Sequence, residues 1–218
     1  MSHPVVSNEE WLAARRDLLV KEKELTRARD RLNEARRALP WEEVTKDYIF
    51  DAPSGPKSLK ELFGDCSQLI VYHFMLAPDW EEGCVGCSFF ADHVDGALIH
   101  LKHGDAGFVA VSRAPLEKIE GYKNRMGWKF PWVSAAGTDF NYDYQASFRD
   151  EDMASGEITY NYRDMAPYGD LKDLHGISVF AKGEDGKIYH TYSTYARGAE
   201  QTLGTLMLLD LVPKGRNE

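Results

Sequence analysis

The chain reads as an α/β protein in which a central, mostly parallel or mixed sheet is flanked by helices and preceded by a long N-terminal helix. Three observations predict this. Two unbroken apolar runs, Leu69-Ile70-Val71-Tyr72-His73-Phe74 and Phe108-Val109-Ala110-Val111, suit strands covered on both faces, as in the middle of a parallel sheet. Helical segments alternate with these runs, and a β-α-β-α order implies right-handed crossovers. The first 40 residues instead carry a seven-residue apolar period.

The elements follow in order. Ser7, with Glu10 three residues on, forms a capping box, and Pro40 stops the helix that begins there. Along it Trp11, Leu18, Leu25, Leu32 and Leu39 recur at every seventh position, and Ala14, Ala28 and Ala35 sit three places after some of them. Arg and Lys alternate with Glu and Asp over the remaining surface. A stripe this narrow either packs along its own domain or pairs with a second subunit, making a homodimer through the N-terminal helix. Residues 1–40 are therefore set apart as a helical arm, and residues 41–216 as the α/β domain.

Within that domain, residues 41–50 contain a short strand, 51–56 carry turn chemistry and 58–63 form one or two helical turns. Residues 84–102 look helical. Residues 115–126 form a helix with proline near its first turn and Gly127 as its stop. From about 128 to 173 lies an aromatic-rich insertion with a short strand near residues 158–162. Residues 177–181 and 187–192 flank Gly183-Glu184-Asp185-Gly186, a hairpin signal, and a final helix over 200–211 ends before Pro213.

Composition narrows the function. Hydrophobic content of 43% with 28% charged residues suits an ordered globular chain. A net charge of −9 disfavours nucleic acid and anionic membranes as partners. No apolar run approaches the ~20 residues that span a bilayer. The stretch from Met1 to Glu10 is polar and acidic, so a cytoplasmic location is expected. In that reducing compartment, three cysteines point to a redox-active or metal-binding pair rather than a structural disulfide.

The chemistry-bearing motif is Gly83-Cys84-Val85-Gly86-Cys87-Ser88, placed after a buried strand and at the start of a helix. Two intervening residues bring both sulfurs within bonding reach. The free N–H groups and the dipole at the helix start stabilise a thiolate on the first cysteine. Cys84 is then the nucleophile and Cys87 the resolving thiol of a disulfide exchange. This reading calls for no cofactor and no metal. Two other readings remain open: an inert buried pair, and a metal-binding or sensor protein using Cys84, Cys87 and one of His73, His93, His100 and His103. Asp79, Glu81 and Glu82 precede the motif and oppose ionisation, which predicts a thiol less acidic than that of a strong oxidant. His73 is either a satisfied core histidine or a neighbour of the thiols, Trp80 either walls the site or packs, and Cys66 reads as buried filler.

These blocks resemble a known family. Tyr72-His73-Phe74-Met75, Pro78-Asp79-Trp80 and Gly83-Cys84-Val85-Gly86-Cys87-Ser88-Phe89 are similar to a bacterial group of thioredoxin-like proteins of formerly unknown function, described as predicted dithiol–disulfide oxidoreductases or isomerases. The likeness runs nearly end to end, from His3-Pro4-Val5-Val6-Ser7 through Ala110-Val111-Ser112-Arg113-Ala114-Pro115 to Asp210-Leu211-Val212-Pro213-Lys214. It implies a thioredoxin-like fold in the thioredoxin/peroxiredoxin superfamily and a dithiol at Cys84 and Cys87. It also implies a disulfide-containing protein or small-molecule thiol as substrate, with a cellular thiol reductant. The expected neighbours of the dithiol are Pro78, Trp80, His73 and Ile177. The segment His175-Gly176-Ile177-Ser178-Val179 lacks the proline that thioredoxins carry before the strand facing the dithiol. The stretch from Tyr48 to Phe63 resembles the opening of the peroxiredoxins, which makes thiol peroxidase a second enzyme reading. Glu81, however, stands where their hydroxyl would be.

Overall fold

The computed structural model describes residues 3–217. The chain divides into two compact units, Met1–Pro40 and Trp41–Glu218. The first is built on one helix, α1 (Asn8–Arg37). Its capping box forms as the sequence predicts: Ser7 N–H donates to Glu10 Oε2 at 2.9 Å, and Glu10 N–H donates to Ser7 Oγ at 3.3 Å. Glu9 and Glu10 in the first turn and Arg36 and Arg37 in the last complement the helix dipole.

The second unit runs β1 (Glu42–Glu43), β2 (Ile49–Phe50), β3 (Lys57–Ser58), α2 (Leu59–Leu62), β4 (Gln68–His73), α3 (Val85–Ala91), α4 (Leu98–His103), β5 (Ala106–Ser112) and α5 (Leu116–Met126). It continues through β6 (Trp132–Ser134), α6 (Phe140–Asp143), α7 (Asp150–Ser155), β7 (Ile158–Tyr160), β8 (Arg163–Met165), β9 (Gly176–Lys182), β10 (Ile188–Tyr195) and α8 (Gly204–Leu209). Six strands form the main sheet in the order β1-β10-β9-β4-β5-β6. β4–β5 and β5–β6 are parallel, while β4–β9, β9–β10 and β1–β10 are antiparallel. The sheet is therefore mixed, because the tight turn at residues 183–186 can only join antiparallel strands.

Alternation along the central strands divides the core in two. Phe108 and Ala110 of β5 and Tyr72 of β4 face one cluster, which includes Cys87, Phe90, Ile119, Trp132 and Ile177. Leu69, Val71, Val109 and Val111 face the other, with Phe50, Leu59, Phe140 and Phe180.

Three expectations about elements are corrected. The helix expected over 84–102 is two helices with a turn between them. Asp92 in that turn accepts from Trp128 Nε1 at 2.8 Å, and Asp95 accepts from the Phe130 amide at 2.9 Å, so the break holds the entry to β6. Trp132–Ser134, read as part of the aromatic-rich insertion, is instead an edge strand of the main sheet, with Trp132 among the largest fully buried side chains. The terminal helix is a 3-10 segment, Ala196–Thr202, followed by α8, because Gly198 and Gly204 disfavour one continuous α-helix.

Candidate active site: the Cys84–Cys87 dithiol

β4 delivers the chain to its C-terminal end, and residues 74–84 loop back over it. The Cys84 N–H donates to the Met75 carbonyl at 3.1 Å, which anchors the loop's far end to the strand exit. Lys118 Nζ reaches across from α5 and donates to the carbonyls of Pro78 and Trp80, each at 2.8 Å. Gly83 passes where a Cβ would lie 2.6 Å from Phe74 and 2.9 Å from the Tyr122 ring, so only glycine lets the loop run this close. Cys84 then occupies the N-cap of α3, and Ser88 Oγ one turn on donates to its carbonyl at 3.0 Å.

All three cysteines are free thiols. Cys84 is half-buried and Cys87 is buried. The Cys87 thiol donates to the Cys84 sulfur, and the N–H groups of Cys87 and Gly86 point at the same atom; together they lower the Cys84 pKa to about 6. That value lies inside the ~3.5–7.5 range of activated thiols. At that value Cys84 is less acidic than the thiol of a strong oxidant, about 3.5, and Glu82 Oε1 is taken up by Arg125 at 2.8 Å. Cys87 moves the other way: its bond to Cys84 and its burial hold its pKa well above the usual thiol value. The Tyr72 hydroxyl and the Met75 N–H oppose this by donating to the Cys87 sulfur. One sulfur is thus poised as an anion at neutral pH, and the other holds the proton.

The pair opens into a cleft of about 420 Å³. Phe89 and Phe90 line it on the α3 side, and Ala199, Leu203 and Leu206 on the C-terminal side, with Arg197 and Glu200 also in the wall. Tyr72 contributes to the wall and stacks on Phe90, ring centroids 4.0 Å apart. His175 is a further lining residue. Its carbonyl accepts from Tyr160 at 2.7 Å, and burial lowers its ring pKa so that the imidazole is neutral. Next to it, Gly176 begins β9 where a Cβ would strike the Tyr195 ring at 2.6 Å.

The structure sorts the expected neighbours. Ile177 lies opposite Tyr72 in the β4–β9 register and shares the core cluster of Cys87. Trp80 packs against that cluster together with Cys84, while neither Trp80 nor Pro78 lines the cleft. His73 is not a neighbour of the thiols. It points to the opposite face of the sheet from Tyr72, stacks on Phe140, and bonds Asn141 through Nδ1 at 3.0 Å and Ser178 through Nε2 at 2.9 Å. Cys66 precedes β4 at the end away from the dithiol, roughly 20 Å along a six-residue strand.

Among the described residues, no three His, Cys, Asp or Glu side chains come together as a metal site. His93 is held by the Phe89 carbonyl and by Thr205, both at 2.7 Å, which joins α3 to α8.

Over residues 1–218 the sequence matches the family described as bacterial protein of unknown function (DUF899). The chain belongs to the DUF899 family. No curated protein has a significantly similar sequence. In fold, this DUF899 chain is similar to the peroxidoxin BcpB of Mycobacterium tuberculosis, with a TM-score of 0.50 and 16% identity over 78% of this chain and 97% of that one. It is also similar to peroxiredoxin Q of Xanthomonas campestris, at a TM-score of 0.49 and 13% identity over 78% and 98% of the two chains. The DUF899 chain thus has an α/β fold of thioredoxin-like type, similar to that of the peroxidoxin BcpB. No helix among the described residues is long and apolar enough to cross a membrane.

Tyr72, Met75, His175 and the C-terminal wall were not singled out as site residues by the sequence. Alternation in β4 shows that either Tyr72 or His73 must face the dithiol, but which of the two depends on the register with β9. The wall at 196–206 lies over a hundred residues from the motif, and no local pattern links them.

Proposed function

We propose that this protein is a thiol–disulfide oxidoreductase, acting as a reductase or isomerase through Cys84 and Cys87. The observation that carries this reading is the split pair: a half-exposed sulfur with a pKa near 6 in hydrogen-bond contact with a buried, protonated thiol. The Cys84 thiolate attacks one sulfur of a substrate disulfide, forms a mixed disulfide and expels the other sulfur as a thiolate. Cys87 passes its proton to that leaving thiolate, then attacks the Cys84 sulfur and expels the second half of the substrate. The substrate is reduced by two electrons and the Cys84–Cys87 pair is oxidised to a disulfide. A cellular thiol reductant, as in the cytoplasm, restores the dithiol. The apolar cleft suits a substrate whose groups beside the disulfide are apolar.

The test is a redox titration in glutathione buffers, read by alkylation and intact mass. A reversible two-electron transition confined to Cys84 and Cys87 is the expected result. Cys84→Ser abolishes turnover, and Cys87→Ser accumulates a mixed disulfide. Unchanged disulfide reductase activity in Cys84→Ser would overturn the assignment.

The fold similarity to a peroxidoxin favours a second reading in which a hydroperoxide is the oxidant. The Cys84 thiolate would then take the distal oxygen as a sulfenic acid and release an alcohol, and Cys87 would condense with it, releasing water. Stopped-flow oxidation by cumene hydroperoxide that outruns oxidation by a disulfide substrate would select this reading over the first.

A further inference from the structure

The arm's charge pattern selects a partner and a direction. Trp11, Leu18, Leu25 and Leu32 occupy one core position of a heptad, and Ala14, Lys21, Ala28 and Ala35 occupy the other. The four large side chains are all exposed, and α1 buries no residue. We propose that α1 pairs with α1 of a second copy as an antiparallel two-stranded coiled coil, Leu25 of each copy seated against Ala28 of the other.

Core volumes exclude the parallel alternative. In a parallel pair like positions stack, so Lys21 would face Lys21, and Ala–Ala layers would alternate with Leu–Leu layers of much larger volume. In the antiparallel pair each layer combines the two positions. Leu18 then meets Ala35, Leu25 meets Ala28, and Leu32 meets Lys21, whose stem lies along the leucine while its ammonium reaches water. Layer volumes become even, and no two lysines face each other.

The flanking charges choose the same direction and set the register. With Leu25 on Ala28, Glu22 flanks Arg29 and Glu24 flanks Arg31, and the twofold axis repeats both pairs. The overlap covers residues 16–37 of each helix, about 33 Å at 1.5 Å per residue. Arg15 approaches Arg36 at its ends, where the intrahelical bond from Arg15 to Glu22 at 2.8 Å offsets the repulsion. Sliding one heptad to put Leu25 on Lys21 would superpose Glu22 on Glu22 and Glu24 on Glu24. In the parallel pair Asp17 would flank Glu22 and Arg31 would flank Arg36, and these two repulsions cancel the attractive Glu10–Arg15 and Glu24–Arg29 pairs.

The test is sedimentation velocity of the full chain at low salt, with helicity checked by circular dichroism. The wild type is expected at twice the monomer mass, and Leu25→Glu at the monomer mass. Glu22→Arg brings a second guanidinium beside Arg29 and weakens association at least tenfold, and Glu22→Arg combined with Arg29→Glu restores it. A monomeric wild type, or a Leu25→Glu variant that remains dimeric, overturns the arm as the interface. Tighter association of Glu22→Arg, which would relieve the Asp17–Glu22 repulsion of a parallel pair, overturns the antiparallel direction.

Discussion

Met75 touches both cysteines through its backbone: its carbonyl accepts the Cys84 N–H at 3.1 Å, and its N–H donates to the Cys87 sulfur. One residue just beyond the end of β4 therefore sets where the nucleophile sits and steadies the resolving thiol. The consequences for reactivity and stability can be measured separately.

Alkylation of Cys84 should follow its ionisation. Its rate is expected to reach half its maximum near pH 6, where a free thiol would do so near pH 8.5. Cys87→Ala removes the thiol donor, and the midpoint is expected to rise by at least one pH unit. An unchanged midpoint in that variant would mean that the N–H groups alone stabilise the thiolate.

Tyr72→Phe tests the second thiol. Without the hydroxyl donor the Cys87 thiolate is harder to form, so mixed disulfides should persist and resolution slow about tenfold, equivalent to ~1.4 kcal/mol. Formation of the mixed disulfide at Cys84 is expected to change much less. Quenched-flow mass spectrometry separates the two steps.

His73 makes folding pH-sensitive. Burial lowers its pKa to about 4, whereas an unfolded histidine titrates near 6.5. Above about pH 6.5 both states are neutral and stability is full. As the pH falls from there toward 4 the unfolded state alone takes up the proton, so stability is lost across that window, about 3 kcal/mol at its lower end. Urea unfolding at pH 7 and at pH 4.5 measures the loss, and His73→Gln should flatten this part of the profile while lowering stability at pH 7.

The Arg113–Asp173 pair holds the segment between α6 and β9 to the end of β5. Arg113 Nε and Nη2 donate to Asp173 at 2.7 and 2.9 Å, and Nη1 donates to Tyr142 at 3.0 Å. Both charged groups are largely buried, so removing one strands the other. Asp173→Leu and Arg113→Met are each expected to cost about 3–5 kcal/mol, and the double variant Arg113→Met with Asp173→Leu clearly less than the sum of these two single changes. Chemical denaturation of the four proteins completes the cycle.

Gly83→Ala should displace the loop against Phe74 and Tyr122, costing about 1–3 kcal/mol. Because Cys84 follows directly, the variant should also lose the low alkylation midpoint. Denaturation and alkylation on the same sample report both effects.

Much of this arrangement is legible in the chain. The unbroken apolar runs place β4 and β5, the residues at 183–186 place the β9–β10 hairpin, and the Ser7–Glu10 box places the start of α1. Cys84 at a helix start follows from its spacing after β4. Less legible were the features made by distant contacts. The break between α3 and α4 is held by Trp128 and Phe130, and the strand character of Trp132–Ser134 comes from pairing with β5. Neither leaves a periodic trace in its own segment.

What the sequence alone determined is therefore local: which segments alternate, where helices begin, and that two thiols stand one turn apart. These follow from hydrophobic period, capping and covalent spacing, which act over a few residues. Tertiary structure decided which face each strand presents. A shift of one residue in register would exchange Tyr72 and His73, sending an imidazole to the thiols and a phenol to Asn141 and Ser178. That choice, and the enclosure of Cys84 by His175 and the C-terminal wall, depends on contacts between residues about a hundred positions apart, which only the folded chain brings together.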